Sequence, residues 1–155
     1  MMKPSRRRGV FKHVLIATDG SPLSNNAARA GVALAKAVGA RVTAYHAIDE
    51  LQPLQIEGYA MAQAMMNDLD ARAKALGEKR VAAIGKIAKA AGVHFNALVR
   101  KANTAYEGII DAATRQRCDV ICMASQGRRG LSRLMMGSVT QKVLTHSKIP
   151  VLVYR

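Results

Sequence analysis

Val14-Leu15-Ile16-Ala17-Thr18-Asp19-Gly20-Ser21-Pro22 carries the end of one secondary-structure element and the start of the next. Four consecutive apolar residues, Val14 to Ala17, mark a strand covered on both faces, because a strand with one wet face would alternate. Ser21 offers a side-chain oxygen to the free N–H groups of a helix start. Pro22 suits the first helical position, where a missing N–H costs nothing. Ala27, Ala30, Leu34 and Val38 then recur at helical spacing, and Gly39 suits the left-handed turn that ends a helix. Strand, tight turn and helix in direct succession are the first half of a β-α-β unit.

Outward from that stretch the alternation repeats. Arg41 to Ala47 reads as a second strand. After Asp49 and a connector containing Pro53, a helical pattern runs from about Glu57 to Ala91. Met61, Met65, Leu69, Leu76, Ile84 and Ile87 are its expected buried stripe, Gly77 and Gly85 its weak points, and Gly92 its stop. Phe95 to Arg100 gives a third strand, and Thr104-x-x-Glu107 is a capping box opening a helix with Ile109, Ile110 and Ala113. Asp119 to Ala124 is the most hydrophobic strand and is expected at the sheet centre. A polar loop, Ser125 to Met136, leads to a helix from Ser138 to about His146, and Ile149 to Tyr154 is the final strand. This pattern predicts an α/β fold, a single doubly wound domain with a five-stranded parallel sheet and helices on both faces. Right-handed crossovers make 3-2-1-4-5 the simplest strand order. The first and fourth strands are then neighbours at the switch point, and the loops Thr18 to Pro22 and Ser125 to Ser138 line one crevice.

Composition agrees with one domain. The chain has 155 residues, 50% of them apolar and 22% charged, and no apolar run reaches the roughly 18 residues of a membrane span. Aromatics are scarce at 4%, so the core is expected to be aliphatic. Residues 1–10 read as a loose basic tail ahead of a domain at 11–155, with Lys3, Arg6, Arg7 and Arg8 in the tail. Ser5-Arg6-Arg7-Arg8 has the look of a twin-arginine export signal. The apolar stretch after it is too short for a signal core and runs into Asp19, so the expected location is the cytoplasm. The net charge of +14 favours anionic partners, and charge alone does not choose among them. Nucleic acid is disfavoured, because no basic helix carries base-reading residues or stacked aromatics. Cys118 and Cys122, if on one strand, lie about 13 Å apart at ~3.3 Å per residue, beyond the ~7 Å a disulfide allows. The four histidines form no metal-ligand spacing.

The second crevice loop carries the chemistry. It reads Met123-Ala-Ser-Gln-Gly127-Arg-Arg-Gly130-Leu-Ser-Arg-Leu-Met-Met-Gly137-Ser138-Val139-Thr140. Glycines let backbone N–H groups approach an anion with no Cβ in the way, and the following helix start adds unpaired N–H groups and a positive dipole end. Arg128, Arg129 and Arg133 supply charge. Read from spacing alone, two descriptions fit equally: a phosphate cradle, or a corner closed by the capping box Ser138-x-x-Gln141.

The loop resembles the ATP-binding motif of universal stress proteins, Gly-x2-Gly-x9-Gly-Ser/Thr. Gly127, nine residues, then Gly137-Ser138 match the last two elements, while the family's first glycine is replaced by Ala124. Val14 to Ser21, His46-Ala47-Ile48-Asp49, Gly137-Ser138-Val139 and Pro150-Val151-Leu152-Val153 resemble the family's opening strand, second strand end and closing elements. The resemblance thus covers nearly the whole chain after the tail. It implies a cofactor site for ATP or another adenine nucleotide, with Mg²⁺ as an optional companion. The site residues so implied are Thr18, Asp19, Ala47, Ala124, Gly127, Arg128, Gly130, Gly137, Ser138, Val139 and Thr140. In that reading the glycines, Ser138 and Val139 serve phosphate and ribose, Asp19 the nucleoside or a metal-bound phosphate, and Ala47 offers backbone groups to adenine. For Asp19 an Asx-turn with Ser21 stands as the alternative, and for Ala47 simple packing. The resemblance also implies a homodimer through the last strand, Ile149 to Tyr154.

Signatures of P-loop enzymes and dinucleotide dehydrogenases are absent. No histidine or carboxylate inside the glycine loop can act as a base, which leaves Asp19 as the one acid with a route to the phosphates. A nucleotide-binding stress-response protein is therefore the first expectation. A slow ATPase or phosphotransferase using Asp19 with a metal is the second, and a family dimer that binds no nucleotide is the third.

Overall fold

In the computed structural model, which describes residues 9–50, 59–128, 130 and 135–155, strand and helix alternate along the chain. The order is β1 (His13–Ala17), α1 (Pro22–Val38), β2 (Arg41–Asp49), α2 (Tyr59–Ala91), β3 (Phe95–Ala102), α3 (Ala105–Arg115), β4 (Val120–Ala124), α4 (Ser138–His146) and β5 (Val151–Tyr154). All pairings are parallel and the sheet order is β3-β2-β1-β4-β5, as the alternation predicted. The middle strand is β1, not β4, which sits beside it. The tail arginines, Pro53, Glu57, Arg129 and Arg133 lie outside the described residues.

The unbroken apolar run of β1 is explained by its two cores. Val14 and Ile16 face a cluster with Val32 of α1, Ile84 of α2 and Val120. Leu15 and Ala17 face the other side, with Tyr45, Ile109, Ala113 and Val143. Successive side chains of a strand point to opposite faces, so a strand buried on both must be apolar throughout. Ser21 caps α1 by accepting from Ser24 N at 3.2 Å, and Gly39 and Gly92 take the positive φ that ends α1 and α2.

Several local expectations need correction. Ser138 is not a cap: Gly137 occupies that position and Ser138 is the first residue of α4. Thr104 precedes α3 as expected, yet its hydroxyl donates to Glu107 Oε2 at 2.6 Å and caps no backbone N–H. The last strand starts at Val151, two residues later than expected, because Ser147 and Ile149 close a side-chain turn ahead of it. Cys118 lies before β4, not on it. Both thiols are free, and burial pushes Cys118 up to about 12 and Cys122 to about 11, so neither is a ready nucleophile.

The largest correction concerns α2. Ile84 is buried as expected, but Met61, Met65, Leu69 and Leu76 are 84%, 67%, 43% and 45% exposed. The reason is length. A helix of 33 residues at ~1.5 Å per residue reaches about 50 Å, whereas the nine residues of β2 cover about 30 Å. The first half of α2 has no sheet left to lie on. Its glycines have a packing reason: a Cβ at Gly77 would sit 2.7 Å from His46 Cδ2, and one at Gly85 2.8 Å from Phe95 Cε1. They are the points where the helix comes close to β2 and β3.

Candidate functional site

A cleft of about 1090 Å³ opens at the switch point between β1 and β4, and all eleven residues singled out above line it. The turn after β1 is fixed internally. Thr18 N donates to Tyr45 O at 3.0 Å, Gly20 N to Thr18 Oγ1 at 3.1 Å, and Ser24 Oγ to Thr18 Oγ1 at 2.8 Å. Gly20 has φ +78°, a conformation that strains any residue with a Cβ.

Asp19 links this turn to the glycine loop. Its Oδ1 accepts from Ser21 N at 3.0 Å, which is the Asx-turn. Its Oδ2 accepts from Arg128 N at 2.8 Å, so the same carboxylate clips the second loop in place. A Cβ at Gly127 would come within 2.6 Å of that oxygen. The Asx-turn that stood as the alternative for Asp19 is present, the same carboxylate holds the second loop, and Gly127 is required by the carboxylate opposite it.

The rest of the loop folds onto itself. Gly137 N donates to Ser125 O at 2.7 Å and Gly130 N to Gly127 O at 3.2 Å. A Cβ at Gly137 would meet Gln126 Cα and Ser125 O, each at 3.3 Å, so this glycine serves loop packing more than cleft space. Thr140 is buried and its hydroxyl donates to Ala124 O at 2.9 Å, which anchors α4 to the end of β4. Ser138, by contrast, has no hydrogen-bonding partner for its hydroxyl among the described residues, and it stands at the start of α4, where helical N–H groups are free.

The opposite wall is one the sequence did not announce. Leu69, Ala73, Leu76 and Arg80 of α2 face the cleft, together with His46 of β2. His46 Nδ1 lies 2.8 Å from Thr18 O; a carbonyl only accepts, so Nδ1 carries the proton and Nε2 is the acceptor. Arg80 approaches that Nε2 at 3.4 Å. Burial holds His46 below its ordinary range, with the Arg80 charge adding to the effect and the Thr18 bond opposing it. Arg80 is itself lowered by burial, then by Arg128, while Asp19 opposes that. These groups share one field. The signal that could have found Arg80 is its setting in α2, with Leu76 four residues before and Ile84 four residues after, and no carboxylate at either place. Among the described residues no three metal-binding side chains cluster, and no helix is long and apolar enough to cross a membrane.

Fold and cleft together define a doubly wound single-domain α/β protein with its site at the sheet switch point. The chain belongs to the universal stress protein family, which matches residues 11–155. It is 30% identical over 149 residues to a universal stress protein, MJ0531, of Methanocaldococcus jannaschii, covering 94% of this chain and 83% of the relative. A universal stress protein of Thermus aquaticus is 31% identical over 146 residues, covering 94% and 100%. Among solved structures, the hypothetical protein MJ0577 superposes with a TM-score of 0.73 at 28% identity, over 92% of this chain and 94% of that one. The fold is shared with a universal stress protein in complex with cAMP (TM-score 0.65, 21% identity, 94% and 97% covered). It is also shared with one from Archaeoglobus fulgidus in complex with dAMP (TM-score 0.62, 15% identity, 94% and 99% covered).

Proposed function

We propose that the cleft holds an adenine nucleotide, ATP in particular, with its phosphates over Gly127 to Ser138 and its base toward Ala47, and that the chain acts as a nucleotide-binding stress protein. The observation that carries this reading is the Asp19 clip, which holds the two switch-point loops together around Gly127. The cAMP and dAMP complexes of fold relatives support the ligand class. Mg²⁺ would arrive with the phosphates, since one carboxylate plus phosphate oxygens is a usual magnesium set and Asp19 lines the cleft. With no base in the loop, any hydrolysis is slow, well below a typical ~10 s⁻¹. The buried free thiols fit a reducing cytoplasm. β5 is a sheet edge with Leu152 exposed, and a twofold copy pairing there would close it as a homodimer.

Mass spectrometry of ligand released on denaturation, with calorimetric titration of ATP, tests the central reading. An adenine nucleotide released, or measurable heat with ATP, is expected. No heat and no thermal shift at millimolar ATP would place the chain with a nucleotide-free function. Sedimentation equilibrium tests the dimer, which Val153→Pro should weaken.

A further inference from the structure

We propose that Arg80 of α2 is an anion-binding residue of this cleft and grips the nucleotide's phosphate chain from the wall opposite the glycine loop. This rests on the nucleotide reading above. The argument begins with how this helix treats its other charges. Arg72 pairs with Asp68 at 2.8 Å, Lys74 reaches Glu78 at 4.0 Å, and Asp70 takes Lys101 of β3. The first two are exposed pairs of helix neighbours, and the third is a half-buried pair that joins α2 to β3. Arg80 has Leu76 and Ile84 where such partners would stand, and no carboxylate pairs with it among the described residues.

It is nevertheless drawn inward. Arg80 is half-buried and its side chain lies on the Gly20 backbone, where a Cβ would meet Arg80 Nε at 2.5 Å and Cδ at 2.8 Å. Gly77, one turn earlier, lets the helix approach His46 closely enough for the guanidinium to reach the cleft. Two glycines thus make room for one arginine. Its single polar contact among the described residues is the 3.4 Å approach to His46 Nε2, which there engages one of its five N–H donors. The Asp19 carboxylate shares the field of Arg80 but turns an oxygen each to the N–H groups of Ser21 and Arg128, and it forms no ion pair with Arg80 among the described residues. A partly buried guanidinium with no paired carboxylate favours an anionic ligand, and its planar donors match phosphate oxygens in pairs. The neutral His46 nitrogen fixes the side chain and leaves its charge for the ligand.

The test compares Arg80→Gln and Arg80→Lys with wild type, after thermal unfolding has shown that each variant folds. Calorimetry is run with ATP and with adenosine at two salt concentrations. Arg80→Gln is expected to weaken ATP tenfold or more, to leave adenosine within about twofold, and to flatten the salt dependence of ATP binding; Arg80→Lys should fall between. Equal losses for ATP and adenosine, or an unchanged ATP affinity, overturn the proposal. If wild type binds neither, the nucleotide reading fails separately, and inorganic tripolyphosphate decides on Arg80. A thermal shift in wild type that Arg80→Gln loses supports the anion role, and an equal shift or none overturns it.

Discussion

The two walls of the cleft are built on opposite plans. One is main chain: Gly127, Gly130 and Gly137 bring backbone against backbone, and a carboxylate from the neighbouring loop holds it in place. The other is side chain: Leu69, Leu76 and Arg80 project from a rigid helix. A Cβ added to this wall meets the Asp19 carboxylate at Gly127, the Gln126 side chain at Gly130 and backbone at Gly137, so each addition disturbs what holds the loop. A side-chain wall can change its chemistry residue by residue while the helix beneath it stays put.

Substitutions can break this contrast, beginning with the largest effect. Gly127→Val should drive its side chain into Asp19 Oδ2, release the clip, and cost ATP affinity on the order of a hundredfold or more by calorimetry. Gly77→Leu acts on the other wall. It would force α2 off His46 and Val99, and thermal or urea unfolding should show a loss of about 1–3 kcal/mol, despite the better helix propensity of leucine. Ser138→Ala removes a hydroxyl that has no protein partner among the described residues. Stability should hold, while ATP affinity falls by roughly tenfold at most, the usual worth of one hydrogen bond.

The smallest effect is one of pH. His46 is held below the ordinary histidine value of 6.5 by burial, so the unfolded chain takes up a proton more readily than the folded one. Stability is then full above pH 6.5 and is lost as pH falls below it. His13 shifts in the same direction. Melting temperatures at pH 8 and pH 5 should therefore differ less for His46→Gln than for wild type. An equal difference would mean that His46 is already open to solvent.

What the sequence disclosed about these walls follows from how each is encoded. The main-chain wall is written locally: glycines at set spacing, a serine at a helix start, a strand of unbroken aliphatics. Each is a short-range signal, and the strand order followed from them. Asp19 was legible as a turn former, but its tie to the glycine loop was not, because that partner is the amide of Arg128, 109 residues away. The side-chain wall depends on contacts between α2 and β2, and no spacing within α2 reports what lies opposite. The stripe from Met61 to Leu76 has helical period, yet period names a face without saying whether anything covers it. Gly77 looked like a flaw in a helix for the same reason, since its neighbours His46 and Val99 belong to other strands.

The clip between the two loops ends on an amide proton, that of Arg128, and an amide proton can be watched. While Asp19 Oδ2 holds it, exchange with deuterated solvent requires the glycine loop to lift away. The exchange rate at this position therefore reads how often the cleft opens, and a ligand bridging both loops would slow it. One backbone proton thus serves as a clock for the site, set by the protein itself and free of any attached label.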